Sequence, residues 1–193
     1  DELSANNDAM MFVTVFLAIL NIRTGELRYS NGGHNPPYVK RTDGRVGRLD
    51  QKHGPVLGPL GGIAYKEDCV TLSAGESLVI YSDGVTEAMN ASRALYGDER
   101  LAEFLQDEEF IDPKDLVTRV VQSVGDFAEG AEQSDDITLL AVSASALHDS
   151  NAVESFTKCI VNQLEEVGTV MSAFLEFAKR SGIEKEVSQK INV

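Results

Sequence analysis

The sequence predicts an α+β or layered α/β domain ending near Ser143, on three observations. Short apolar runs rich in β-branched and aromatic residues, separated by glycine turns, fill positions 11–81. Two segments with helical apolar spacing follow, and a final apolar run, Ile137 to Val142, returns to the sheet. At 193 residues the chain is long enough to bury one substantial core.

The first run, Met11 to Leu20, is nearly all apolar and reads as a strand covered on both faces. Thr24-Gly25 turns the chain, and Glu26 to Ser30 alternates to complete a hairpin. Asn31-Gly-Gly-His-Asn-Pro-Pro37 cannot be regular structure, because two glycines free the backbone and two prolines fix it. Strand signals resume at Tyr38 to Arg41, turn at Asp43-Gly44, and return at Arg45 to Leu49. Gly54 to Gly62 is a loop. Glu67 to Leu72 and Ser77 to Tyr81, joined by Ala74-Gly75-Glu76, read as a second hairpin.

Asp98 is suited to cap a helix reaching about Leu105. Asp112-Pro113 opens another, with proline where a missing N–H costs nothing. Leu116, Val117, Val120, Val121, Val124 and Phe127 repeat on one face, and Gly130 ends it. Positions 144–150 form a small, polar linker. Beyond it, 151–193 holds a candidate strand, Val153 to Val161, and an amphipathic helix from Leu164 to about Lys179.

Several functions are disfavoured by composition. A formal net charge of -14 repels nucleic-acid phosphates, and Lys40, Arg41, Arg45 and Arg48 read as a solvated hairpin, so no nucleic acid is expected. No apolar run approaches the roughly 20 residues that cross a bilayer, and no signal peptide opens the chain, so no membrane partner is expected. Cys69 and Cys159 lie far apart in unrelated stretches, which fits a reduced, cytoplasmic setting.

Two acidic sites stand at strand ends. Asp83, with Gly84 beside it, appears as the run Ser77 to Tyr81 finishes, and Asp135 and Asp136 immediately precede the run that begins at Ile137. If these strands pair antiparallel, the end of one lies beside the start of the other. Carboxylates gathered there repel one another unless a cation neutralises them. Oxygen donors favour Mg²⁺ or Mn²⁺ over zinc, for which no Cys/His spacing exists. Taken singly, Asp83-Gly84 also reads as a turn and Asp135-Asp136 as a solvated loop. Gly32-Gly33-His34-Asn35 has two readings: a rigid connection, or a means of bringing His34 to a substrate. His53 and His148 have no recognisable context.

Four segments in order, Met11-Phe-Val-Thr-Val-Phe16, Tyr29-Ser-Asn-Gly-Gly-His-Asn-Pro-Pro37, Tyr81-Ser-Asp-Gly-Val-Thr-Glu-Ala88 and Gln133-Ser-Asp-Asp-Ile-Thr-Leu-Leu140, resemble one known family. It is the bacterial branch of the 2C-like (PPM-type) metal-dependent protein phosphatases, that of the sporulation stage II E and sigma-B regulator (RsbU) phosphatases. The resemblance covers 1–143 and implies a layered β-sandwich flanked by helices, with two Mn²⁺ or Mg²⁺ ions at one edge. It implies that Asp83 and Asp135 are metal ligands, that Asp136 ligates or supports a ligand, and that the Gly84 backbone lies beside the metal. The expected reaction is hydrolysis of phosphoserine or phosphothreonine through a metal-activated water, without a protein nucleophile. The expected partner is a phosphorylated protein of the anti-sigma-factor-antagonist type.

Relatives carry an upstream Gly-His-Gly segment and a Gly-Asp-x-x-Asp element that this sequence lacks. The chain is therefore expected to be a phosphatase domain without its N-terminal part, and inactive alone. The alternative is a non-catalytic phosphatase-like binding module in partner-switching signalling. The tail is similar to the start of an anti-sigma-factor (GHKL-type) kinase domain. It reads equally as a plain packing or dimerisation helix, which would make a homodimer.

Overall fold

The computed structural model describes residues 2–5, 7–133, 135–147 and 150–162. Eight strands and three helices follow in the order β1 (Val15–Leu20), β2 (Glu26–Gly32), β3 (Tyr38–Lys40), β4 (Val46–Arg48), β5 (Asp68–Thr71), β6 (Ser77–Tyr81), α1 (Asp83–Thr86), α2 (Gly97–Asp107), α3 (Pro113–Ala128), β7 (Thr138–Leu147) and β8 (Ser150–Asn162). The strands form two sheets, β1-β2-β5 and β4-β3-β6-β7-β8. The α+β sandwich predicted from the sequence is the one observed.

Period-two alternation assigns each side chain of the central strands to one of two cores. Tyr38, Val79, Tyr81, Leu139 and Ala141 point toward the helices and pack with Leu101, Leu105, Leu116, Val117 and Val120. Their alternates, Val39 and Leu78, point toward the other sheet and pack with Leu27 and Leu72. The helix side is stiffened by Tyr38 stacked on Tyr81 at 5.7 Å. Helix α3 starts where the sequence places it: the Asp115 N–H donates to the Asp112 carboxylate at 2.7 Å, with Pro113 in the first turn. It ends on Glu129 and Gly130, both at positive φ.

Several expectations need correction. β1 is not covered on both faces: it is the margin of its sheet, and Leu17 and Ile19 are 62% and 69% exposed. β5 and β6 are not a hairpin, because β5 pairs with β2 while β6 pairs with β3 and β7. The turn between them is a corner that carries the chain from one sheet to the other. Gly75 takes φ +83°, the Ser73 N–H donates to Glu76, and Arg41 pairs with the same buried carboxylate. Asp98 does not cap α2; Tyr96 stands there, and the Asp98 carboxylate instead accepts from the Tyr81 hydroxyl and pairs with Arg48. β7 runs on to Leu147 through half of the expected linker, and β8 lies beside it in the same sheet. One compact unit runs to Val161. The helix expected at 164–179, the kinase-like reading that depends on it, and His148 fall outside the described residues.

The basic hairpin residues are spoken for. Lys40 donates to the Leu105 and Glu108 carbonyls, and Arg41, Arg45 and Arg48 pair with Glu76, Asp43 and Asp98. Among the described residues, no helix is long and apolar enough to cross a membrane.

Candidate metal centre

β6 and β7 pair antiparallel, with Tyr81 opposite Leu139. The end of one strand therefore meets the start of the other, as the strand-end carboxylates require. Beyond the ladder, Ser82 fastens the two segments. Its N–H donates to the Thr138 carbonyl at 2.9 Å, its hydroxyl donates to the Asp136 carbonyl at 2.9 Å, and the Thr138 N–H donates to that hydroxyl oxygen at 2.8 Å. Three hydrogen bonds through one residue fix the chain just before Asp83 against the chain just after Asp136.

Asp83 then opens α1, a single helical turn closed by the Glu87 N–H donating to the Asp83 carbonyl at 2.8 Å. Gly84 is pressed against the opposite strand. A Cβ at this position would stand 2.3 Å from the Asp136 carbonyl oxygen and 3.0 Å from that of Asp135. Only a residue without a side chain allows so close an approach. The glycine thus serves proximity; it brings Asp83 beside the Asp135-Asp136 pair.

The carboxylates of Asp83, Asp135 and Asp136 belong to exposed residues at this edge. Asp135 accepts the Asp136 N–H at 2.7 Å, and Gln133 donates to the Asp135 carbonyl at 2.7 Å, which orders the acidic turn. Carboxylate and carbonyl oxygens are the donors that Mg²⁺ and Mn²⁺ take. Among the described residues no group of three or more acidic, histidine or cysteine side chains converges closely enough to enclose an ion. The donor chemistry of Asp83, Asp135 and Asp136 is the kind a hard divalent cation takes.

The segment 33–37 arrives at the same edge from the other side. β3 pairs with β6 through Tyr38 opposite Val79, so the residues before Tyr38 run toward Asp83. His34 is half-buried there. Burial lowers its pKa, and the nearby Asp83 carboxylate opposes that shift. Asn31, wholly buried, closes the turn: its amide donates to the His34 carbonyl at 3.0 Å and its side-chain oxygen accepts the His34 N–H at 2.8 Å. The Asn31 N–H in turn donates to His53 Nδ1 at 2.9 Å. His53 is thereby placed as a buried partner of Asn31, stacked edge-on against Tyr29.

Residues 1–145 match the family model described as stage II sporulation protein E (SpoIIE). The chain belongs to the SpoIIE family. The four motifs read from the sequence all lie within the matched residues. Two relatives of this SpoIIE-family chain have curated names. Protein IcfG of Synechocystis sp. is 32% identical over 137 residues, which are 71% of this chain and 21% of that protein. Phosphoserine phosphatase RsbU of Bacillus subtilis is 29% identical over 138 residues, 71% of this chain and 40% of that protein. The chain thus spans well under half the length of either. The SpoIIE phosphatase domain of Bacillus subtilis, in crystals presoaked with manganese, shares the fold with a TM-score of 0.56 at 18% identity. That match covers 71% of this chain and 59% of the solved one.

Sequence reasoning named Asp83, Gly84, Asp135 and Asp136 and brought them to one edge. It did not anticipate Ser82 as the fastening residue or Asn31 as the keystone of the His34 turn. A polar residue interposed between an apolar strand and Asp83 was the available signal for the first.

Proposed function

We propose that this SpoIIE-family chain carries part of a metal-dependent protein serine/threonine phosphatase centre. Asp83 and Asp135 are its metal ligands and Asp136 a ligand or its support. The observation that supports the reading is the Ser82 fastening with the Gly84 close approach, which brings together the backbone of two acidic segments 52 positions apart in sequence (135 − 83). A bound Mg²⁺ or Mn²⁺ supplies positive charge against phosphoryl oxygens and acidifies water near neutral pH. The chain's own part is to hold: β6 and β7 fix the carboxylates, and Gly84 keeps the first turn of α1 tight against the acidic turn.

The substrate proposed is a phosphorylated regulatory protein of the anti-sigma-factor-antagonist type, in the cytoplasm. Support comes from family membership and from the curated name of RsbU as a phosphoserine phosphatase. The test is phosphate release from a phosphoserine protein by the full-length protein, with and without Mn²⁺. Asp83→Ala and Asp135→Ala should each lower turnover by at least about 100-fold, as loss of a charge-stabilising group does. Unchanged rates in both variants would remove these residues from the site.

A further inference from the structure

We propose that His34 touches the phosphoryl group of the substrate, donating a hydrogen bond from its imidazole, and that Asn31 is the residue that positions it. The inference rests on the phosphatase reading and goes further, because it assigns a group on the side of Asp83 opposite the acidic turn.

Three observations converge. First, topology: Asp83 follows β6, which β7 flanks on one side and β3 on the other, so the segment leading into Tyr38 approaches from the side opposite the acidic turn. Second, rigidity: the turn is fixed by the reciprocal Asn31–His34 bonds, and Asn31 is itself fixed by His53. Because His53 Nδ1 accepts the Asn31 N–H, the His53 proton resides on Nε2, which faces the Asp68 carboxylate at 3.4 Å. Gly33 takes φ +81°, and a Cβ there would lie 2.5 Å from Val56, so the turn needs glycine at this position.

Third, availability: the backbone of His34 is tied, yet no hydrogen bond to its ring is found among the described residues. The ring sits within electrostatic reach of Asp83. A neutral imidazole offers one N–H and an imidazolium two, so a donor is present in either state. An edge lined with carboxylates attracts a cation but repels a phosphate. A fixed N–H donor at its border is the complement an anionic phosphoryl group needs.

The experiment measures kcat and KM of the full-length protein on a phosphoserine protein, together with the Mn²⁺ concentration giving half-maximal rate, for wild type, Asp83→Ala, His34→Ala and His34→Gln. His34→Ala should lower kcat/KM by about 10- to 100-fold, the worth of one hydrogen bond to a charged group. His34→Gln, which keeps an N–H donor, should recover at least about a third of the loss on a logarithmic scale, and the Mn²⁺ requirement should be unchanged in both. His34→Ala within about twofold of a wild type that depends on Asp83 would overturn this inference and leave the phosphatase reading standing. A raised Mn²⁺ requirement would make His34 a metal ligand instead. Equal losses in both variants with a lowered melting temperature would make it structural. A wild type no faster than Asp83→Ala would overturn both readings.

Discussion

β6 and β1 are similarly apolar, and the fold treats them in opposite ways. β6 lies inside the five-stranded sheet, with Val79 and Tyr81 against the helices and Leu78 against the second sheet. β1 is at the margin of the three-stranded sheet, with Leu17 and Ile19 open to solvent. Composition decides that a segment becomes a strand; its neighbours decide how many of its faces are covered. The functional consequence falls on the residue at the end of each strand. Asp83 leaves a strand held on both faces and by ladders on both edges, so its position is set by packing. Among the described residues, nothing comparable fixes the outward face of β1.

The largest effect should come from loosening the doubly covered strands. Leu139→Ala removes a fully buried side chain from the helix-side core and should destabilise by about 2–5 kcal/mol in urea unfolding. A loss below about 1 kcal/mol would mean this core is far less tightly packed than the structure shows.

Next comes Gly84→Ala. Its Cβ would meet a backbone carbonyl rather than a flexible side chain, so the strand end must move. An overpacking cost of about 1–3 kcal/mol is expected, with weakened Mn²⁺ binding. If Mn²⁺ affinity survives with stability lost, the close approach serves folding alone. The smallest effect belongs to β1. Ile19→Thr keeps β-branching on an exposed face and should change stability by no more than about 0.5 kcal/mol. A loss as large as that of Leu139→Ala would show that this outward face is covered in solution and would erase the contrast between the strands.

Much of this fold was legible because its signals are local. The turn at Asp43-Gly44, the proline-led start of α3 and the glycine after it each specify backbone geometry over a few residues. The approach of the Asp83 and Asp135 segments was legible for a different reason, since antiparallel pairing brings the end of β6 beside the start of β7, where Ser82 and Gly84 then tighten it. What escaped was non-local or too short. Ala74-Gly75-Glu76 turns the chain equally well within a sheet or between two, and only the partners of β5 and β6 distinguish a hairpin from a corner. Asp98 has the chemistry of a cap, but Tyr81 and Arg48, distant in sequence, claim its carboxylate. The single turn of α1 is shorter than any helical period can reveal. Asn31 read as one more loop residue, yet it lies in β2 and its N–H donates to His53, 22 positions away.

The most direct measurement is paramagnetic: Mn²⁺ added at substoichiometric levels to the ¹⁵N-labelled protein, read as line broadening of assigned amides. The carboxylate edge predicts that residues 83–86 and 135–138 broaden first and together, and that Asp83→Ala abolishes the effect at both. Broadening confined to one of these segments, or centred elsewhere on the acidic surface, would contradict a shared cation site.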